Sequence, residues 1–490
     1  MIADQNVLIW VTLIYFAVVI GVSVFFRRAS SEVEFLAAGR TIGPWVGGAV
    51  LAATQISAGT FVGTLGRSYL TGVSWMWVWF GVWSGWVTSA VLVAPKLRRF
   101  GALTVADYVG TRFASEGART LAAALIIVCY SILLTAQFQA IGEIASAVFG
   151  ISPLLAMTAL LASTGFYTAI GGVRASSYIE FIQTLIMVLA LVCAVPVVFV
   201  HVGGFVPLGE YIGSIDARIT GQWFSWRELL AFSLAFGLGI AAAPYEMTRY
   251  YSMRDVATVR YAIGVSMILQ LIIGACVATL GMGMRGVFPF LPSPDQASSI
   301  MASTVMPPLL GSLFVVAMLS AIMSTVNSIL LVTGGAFAHD LYKRLVNPEA
   351  SERRLVWVNR LSIVILGIIP FWFAQQRLGD VQTIVIEQAK FIASFFFVPV
   401  VLGLNWRRGT REGAIWSMAM GFLACLIWTF TLQHSFARHG IDSVEVGVIA
   451  SAVTFIIVSR LTPPTPRENI AIFFDEELAR RGSESRGGRS

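Results

Sequence analysis

Runs of about twenty apolar residues recur along almost the whole chain, and no other feature limits its fold so strongly. Such a run is what a helix needs to cross ~30 Å of hydrocarbon. With 57% hydrophobic and only 12% charged residues among 490, the chain lies outside the range of soluble globular proteins. No soluble domain of useful size fits between the runs. The expectation is an all-α membrane protein, with one transmembrane domain over residues 1–462 and a short cytoplasmic tail over 463–490.

Hydropathy predicts about thirteen spans, beginning near residues 6, 43, 73, 120, 153, 177, 228, 261, 309, 357, 381, 413 and 444. The first follows an acidic residue, Asp4, and no cleavage site leads into a hydrophilic mature protein, so it reads as a retained helix and not a signal peptide. An odd number of spans puts the termini on opposite sides. With the N-terminus outside and the C-terminus inside, most of the 33 basic residues fall in inner loops or the tail, as the positive-inside rule requires. That placement accounts for the formal charge of +7 without nucleic acid.

Cys129, Cys193, Cys276 and Cys425 fall inside apolar spans with no CxxC pair, so they read as buried small hydrophobes and not as disulfides or zinc ligands. The outer loops His201–Arg227 and Arg285–Pro308 read either as a vestibule or as connectors. In the tail, Arg467–Arg481 reads as a short helix and Gly482–Ser490 as disordered.

The second and seventh spans are interrupted by small residues, from Gly47 to Thr60 and from Phe236 to Pro244, the latter containing Gly237 and Gly239. Broken helices expose carbonyls at membrane depth, which is tolerated only where they line a cavity or bind something. Here they open two successive five-helix sets, core repeats at about 43–200 and 228–404, the spacing of a five-plus-five inverted repeat. Close helix packing is the alternative reading of the small residues.

The ninth span carries Ala321-Ile322-Met323-Ser324-Thr325 and runs on to Asp340-Leu341-Tyr342-Lys343. A sodium ion wants about five or six oxygen ligands, and neutral hydroxyls and carbonyls supply them without a strong buried countercharge. Ser324 and Thr325 offer two hydroxyls, and the Ala321 carbonyl, one turn earlier, retains a spare lone pair. Hydrogen bonding within the helix is the other use of such hydroxyls.

Several separated segments together resemble the sodium/solute symporter family, in particular its bacterial proline and pantothenate branch. They are Glu34-Phe35-Leu36-Ala37-Ala38-Gly39-Arg40 before the broken second span; Gly171-Gly172-Val173-Arg174-Ala175 followed by Glu180 and Gln183; Arg249; and the ninth-span motif with its Asp340–Lys343 end. The resemblance covers roughly residues 5–435. It implies the five-plus-five fold of the LeuT-like transporters and a sodium ion held by the carbonyls of Ala53, Ile56 and Ala321 and the hydroxyls of Ser324 and Thr325. It also implies a multi-pass protein of the bacterial inner membrane, with sodium as a transported ion and no obligate protein partner. Glu180 stands where many relatives have Asp, and about four residues into its span from the inner side it reads equally as an interfacial charge facing water.

By analogy the solute faces the ion across the broken helices, which makes Thr54, Gln55, Ser57 and Gln137 candidates, with packing hydrogen bonds as the alternative. Glu387 and Lys390, three residues apart, share a helix face. Lys390 either greets the carboxylate of an organic acid or is neutralised by Glu387, and the second reading is preferred. Glu180, Gly237, Gly239 and Glu387 are candidates for coupling or gating. The expected function is sodium-coupled symport of a small organic solute, such as pantothenate, a monocarboxylate or proline, by alternating access. A proton-coupled carrier and a solute sensor are the alternatives. No GxxxxGK[ST] motif or metal-type histidine pair points to an enzyme or an ATP-driven pump.

Overall fold

The computed structural model describes residues 5–26, 31–432 and 440–475. Among them the chain is helical and forms no strand, only an isolated bridge between Ile42 and Met253. The first helices are α1 (Gln5–Phe25), α2 (Glu32–Ala37), α3 (Pro44–Gln55), α4 (Leu65–Thr71), α5 (Val78–Thr88), α6 (Ala94–Phe100), α7 (Val105–Arg112) and α8 (Glu116–Phe149). Next come α9 (Pro153–Val202), the short α10 (Phe205–Ile215) and α11 (Ala217–Thr220), α12 (Trp226–Ala241), α13 (Pro244–Ser252), α14 (Val256–Val287) and the single turn α15 (Ala297–Ile300). The chain continues through α16 (Pro308–Gly335), α17 (Glu352–Ala374), α18 (Val381–Asn405), α19 (Arg411–Ile427), α20 (Ser443–Leu461) and α21 (Arg467–Phe474).

Eleven helical stretches among the described residues are long and apolar enough to cross a membrane. The two longest do not run as one straight helix. Gly59–Phe100 has 42 residues and Pro153–Val202 has 50, so the second would extend roughly 75 Å at ~1.5 Å per residue. Each is turned at one glycine. Gly72 has φ 60° and ψ −135°, and a Cβ there would collide with the Ile219 carbonyl. Gly172 has φ 56° and ψ −160°, and its Cβ would fall 2.8 Å from the Phe35 carbonyl oxygen. Only glycine takes such backbone conformations without strain beside a close neighbour.

Two transmembrane helices are broken, and they break for different reasons. Between α12 and α13, Pro244 offers no N–H and steers Ala243 out of the helical region, to φ −67° and ψ 116°. Between α3 and α4 there is no proline. Ile56 leaves the helix at φ −79° and ψ 116°, and side chains take up the freed amides. Ser57 Oγ accepts from Gly59 N at 3.0 Å, Thr60 Oγ1 from Ser57 N at 3.4 Å and Gln137 Oε1 from Ala58 N at 3.0 Å. The chain then re-enters a π-helical turn at Gly59–Thr64.

The breaks are narrower than the small-residue runs suggest. Gly47 and Gly48 lie inside continuous α3, against Ala262 and Val265 of α14. Gly237 and Gly239 lie inside continuous α12, against Gly81 of α5 and Ala389 of α18. These glycines allow close helix approach, and the backbone opens beyond them, from Ile56 after α3 and at Ala242–Pro244 after α12.

The stretches Pro308–Val346 and Val381–Asn405 are the most buried, while Gln5–Phe25 and Arg411–Leu432 lie at the periphery. Large apolar side chains such as Trp10, Ile14, Ile368 and Trp372 are exposed on outer helices, as suits a surface solvated by lipid. Cys129 and Cys425 are buried as expected, but Cys193 is exposed on that outer surface and Cys276 is half-buried, because their positions on α9 and α14 face away from the bundle. Of the expected tail helix Arg467–Arg481, residues 476–481 lie outside the described residues, and a helix is present in the part described. It spans Arg467–Phe474 and is anchored by Phe473 against Phe100 and Tyr108. The disordered reading of Gly482–Ser490 lies outside the described residues.

Candidate functional site

A helix that stops at Gln55 leaves its last carbonyls without the amides that would normally bond them. The amide of Ser57 goes to Thr60, that of Ala58 to Gln137 and that of Thr60 to the Ser57 carbonyl at 2.9 Å. The carbonyls of Ala53, Thr54 and Ile56 are therefore free of their helical donors. They point at α16, where Ser324 Oγ lies 2.9 Å from Ala53 O and 3.0 Å from Ala321 O. Thr325 Oγ1 lies 3.2 Å from Ile56 O and 3.4 Å from Thr54 O.

The five oxygens expected to bind sodium are thus brought together from two elements, and all five residues are buried. Each hydroxyl here donates to a carbonyl. Rotation about the C–O bond would turn its lone pairs toward a cation instead. The set is neutral, numerous and hard, which fits an alkali cation better than a transition metal.

Beside these oxygens lies a cavity with an empty volume of about 870 Å³, its mouth included. Thr54, Gln55, Ser57, Thr325 and Gly239 line it, together with Trp75, Trp79, Phe236, Tyr245, Gln270, Gln382 and Gln388. Among the described residues no charged side chain lines it. The two broken helices meet across the cavity, where Tyr245 OH donates to Gln55 Oε1 at 3.0 Å.

Two solute candidates from the sequence lie elsewhere. Gln137 is buried behind the break, where its carbonyl holds the Ala58 amide. Lys390 is turned toward α20 and lies 2.9 Å from Glu387 and 3.0 Å from Asp442, the cap of that helix. The preferred neutralising partner of Lys390 is in place, and a second carboxylate joins it. Glu387 remains partly exposed beside that pair.

One turn beyond Thr325 a polar cluster is sealed in the core. Glu180 is fully buried and does not face water. Its Oε1 accepts from Arg249 at 2.5 Å, from Asn327 at 2.6 Å and from Ser328 at 3.2 Å. Arg249 also donates to Ser328 at 2.6 Å, and Ser328 lies 3.3 Å from Thr54 Oγ1. The longer glutamate thus joins α9, α13 and α16 within one chain of contacts from the carbonyls freed at the α3 break. Where α18 begins, Arg67 of α4 pairs with Asp380 at 3.2 Å and donates to Thr383 at 2.9 Å. Close by, Asp295 accepts from Val381 N at 3.2 Å. Burial pushes the Asp295 carboxyl up to about 6, with Asp380 adding to the rise.

Sequence reasoning singled out Arg249, Glu180 and the ninth-span hydroxyls. It passed over Asn327, Ser328, Tyr245, Arg67 and Asp380. For Asn327 and Ser328 a signal existed, since they follow Ser324 by one helical turn in the same motif. For Arg67 and Asp380, which are 313 residues apart, there was none.

The family model described as Sodium:solute symporter family matches residues 35–421. The osmoregulated proline transporter OpuE of Bacillus subtilis is 27% identical over 462 residues, covering 91% of this chain and 93% of its own. The sodium/proline symporter of Escherichia coli is 26% identical over 454 residues, covering 89% of each chain. Among solved structures, a Na⁺-coupled sialic acid symporter in a substrate-bound outward-open state aligns with a TM-score of 0.81 at 18% identity, covering 94% of this chain and 99% of that one. MhsT in complex with L-phenylalanine aligns with a TM-score of 0.55 at 12% identity, covering 86% and 98%. These likenesses establish a shared fold, the LeuT-type arrangement of helices.

Proposed function

The chain belongs to the sodium:solute symporter family, and on that premise we propose that it couples sodium entry to the uptake of a small organic solute by alternating access. The observation that carries this reading is the meeting of the Ser324 and Thr325 hydroxyls with the carbonyls freed at the α3 break. A cation there would tie α3 to α16 and hold the adjoining cavity in one shape. Ion and solute then raise each other's affinity by the same factor. The driving force is the sodium gradient plus ~2.3 kcal/mol per charge per 100 mV of membrane potential.

For the solute, the reading favours a small zwitterion such as proline over a free organic acid. Among the described residues no lysine or arginine lines the cavity to meet an unbalanced carboxylate. The cavity offers neutral donors and acceptors, among them the amides of Gln55, Gln270, Gln382 and Gln388, which suit a molecule without net charge. Two relatives with proline in their names align over about nine-tenths of the chain. In this reading the turns at Gly72 and Gly172 each divide two crossings, giving thirteen spans with the N-terminus outside and the C-terminus inside a bacterial inner membrane.

The test is uptake of radiolabelled proline into proteoliposomes with an inward sodium gradient, alongside pantothenate, short monocarboxylates and sugars. Proline accumulation that collapses when choline replaces sodium is the expected result. Accumulation of a monocarboxylate instead would overturn the zwitterion assignment. Uptake at low external pH without sodium would favour a proton-coupled carrier, and accumulation of no solute would favour a sensor.

A further inference from the structure

Glu246 stands in the first turn of α13, two residues after Pro244, beside the break of the second interrupted helix. It is fully buried, and neither carboxyl oxygen has a hydrogen-bond partner. Among the described residues no donor is within hydrogen-bond distance of it, although polar groups lie near. Tyr130, Tyr245 and Tyr250 lie within electrostatic reach. Yet Tyr245 OH bonds Gln55, Tyr250 OH bonds Ser89 and Tyr130 OH accepts from the Tyr245 amide. Arg249, one turn along the same helix, gives Nη2 to Glu180 and Ser328, and its Nη1 has no partner.

Charge counting sharpens this. Glu180, Glu246 and Arg249 form a buried group of two acids and one base, and the one guanidinium is already paired with Glu180. The other elements packed on α13 spend their charges elsewhere. Arg98 of α6 bonds the carbonyls of Met253 and Arg254, Asp107 of α7 is held by Arg119, and Glu32 of α2 is held by His339 and Lys343. Arg40, just after α2, bonds the Gly101 carbonyl. From α16 come the neutral Asn327 and Ser328. A lone anion in such surroundings neutralises. The N-terminal dipole of α13 opposes that outcome but is the weaker influence for an unpaired buried charge.

We propose that Glu246 is a proton-binding site at the hinge of the second broken helix, occupied whenever α13 is packed as in this structure. A sodium ion would require a shell of oxygens, and no hydroxyl among the described residues hydrogen-bonds the Glu246 carboxylate. A proton requires only the carboxylate. When α13 separates from the bundle and water reaches Glu246, its O–H bond breaks and the proton passes to water, leaving a hydrated carboxylate. Repacking takes a proton back. Tyr245, the residue before Glu246, lines the solute cavity and bonds Gln55 of the first broken helix. The proton is thus linked to the element that closes the cavity.

The test uses the full chain in liposomes and needs no knowledge of the solute. Infrared difference spectra between wild type and Glu246→Gln, and between wild type and Glu246→Met, are recorded at neutral pH in choline and in sodium chloride. A protonated-carboxyl C=O band present in wild type and lost in both variants is expected, with the same intensity in either salt. Absence of that band from the wild-type difference, or its disappearance on adding sodium, overturns the proposal. Glu246→Met fills a similar volume without charge, so it is expected to fold and to melt no lower than wild type at alkaline pH. Failure of that variant to fold would mean that an ionised carboxylate is needed, and would overturn the proposal as well.

Discussion

Thr325 Oγ1 lies 3.2 Å from the carbonyl oxygen of Ile56, a residue 269 positions earlier in the chain. A helix interrupted for no covalent reason, without a proline, is held open by the side chains of Ser57, Thr60 and Gln137, and its unused carbonyls find the ninth-span hydroxyls. Under the proposed function the break and the motif are two halves of one ion site.

Removing the Thr325 hydroxyl deletes one of five oxygens while leaving a small apolar group in a helix. Thr325→Ala is expected to raise the sodium concentration for half-maximal stabilisation by roughly 5- to 100-fold, the worth of about 1–3 kcal/mol for a lost buried polar ligand. Sodium titration of the melting temperature of the purified protein measures this directly. An unchanged sodium midpoint would remove Thr325 from the site.

How much of this was legible in the sequence depends on range. Ser324, Thr325 and Ala321 are neighbours on one helix, so their convergence follows from a 3.6-residue period. That the carbonyls of Ala53 and Thr54 lack their helical donors depends on which side chains take the amides of Ser57 and Ala58, and one of those is Gln137, 79 residues on. Lys390 offered its helix neighbour Glu387 to a sequence reading, while Asp442 is 52 positions away in another helix. The described residues form eleven long apolar stretches, and within two of them the backbone leaves helical conformation at a single residue, Gly72 or Gly172.

Lys390 bears on that point in a test of its own. It is buried against Glu387 and Asp442 and lines no part of the cavity. Lys390→Met leaves two carboxylates facing each other with no cation, so it is expected to destabilise the protein by about 3–5 kcal/mol. In whatever fraction folds, the half-saturating sodium and solute concentrations should stay at wild-type values. A selective rise in the solute constant would return Lys390 to the solute site.

Arg249 and Glu180 are expected to behave as a unit. Arg249→Met alone strands a buried carboxylate and should cost about 3–5 kcal/mol. Adding Glu180→Gln removes the stranded charge and should recover more than half of that loss. A double-mutant cycle by thermal unfolding measures the coupling, and additive losses would mean that the 2.5 Å contact contributes nothing specific.

Asp295 supplies a pH dependence outside the membrane-spanning helices. Its carboxyl is pushed up to about 6 by burial, with Asp380 reinforcing the rise and the Val381 amide and Arg67 opposing it. The unfolded chain releases this proton near pH 4, so between about pH 4 and pH 6 the folded protein binds the proton and the unfolded chain does not. Stability is therefore lost as pH rises through that window, and the loss is complete above it. The melting temperature should fall from pH 4.5 to pH 6.5 by an amount that Asp295→Asn abolishes. An identical slope in the variant would assign the titration to another group.

The pair formed by Arg67 and Asp380 tests whether the end of the cavity where α18 begins acts as a gate. Both side chains are partly exposed, 23% and 35%, so the ion pair is worth only about 0–1 kcal/mol to folding. Its position matters more than its energy, because it joins α4, which follows the first break, to the start of α18, whose Gln382 and Gln388 line the cavity. Arg67→Gln should leave the melting temperature within a few degrees of wild type while populating a state open at that end. The readout is the rate at which a membrane-impermeant thiol reagent labels a cysteine placed at Thr60, in a background where Cys129, Cys193, Cys276 and Cys425 are replaced by serine or alanine. Labelling several-fold faster in Arg67→Gln than in the parent, and slowed again by sodium with solute, is the expected pattern. Equal rates with and without the arginine would mean that the ion pair fastens the helices without controlling access.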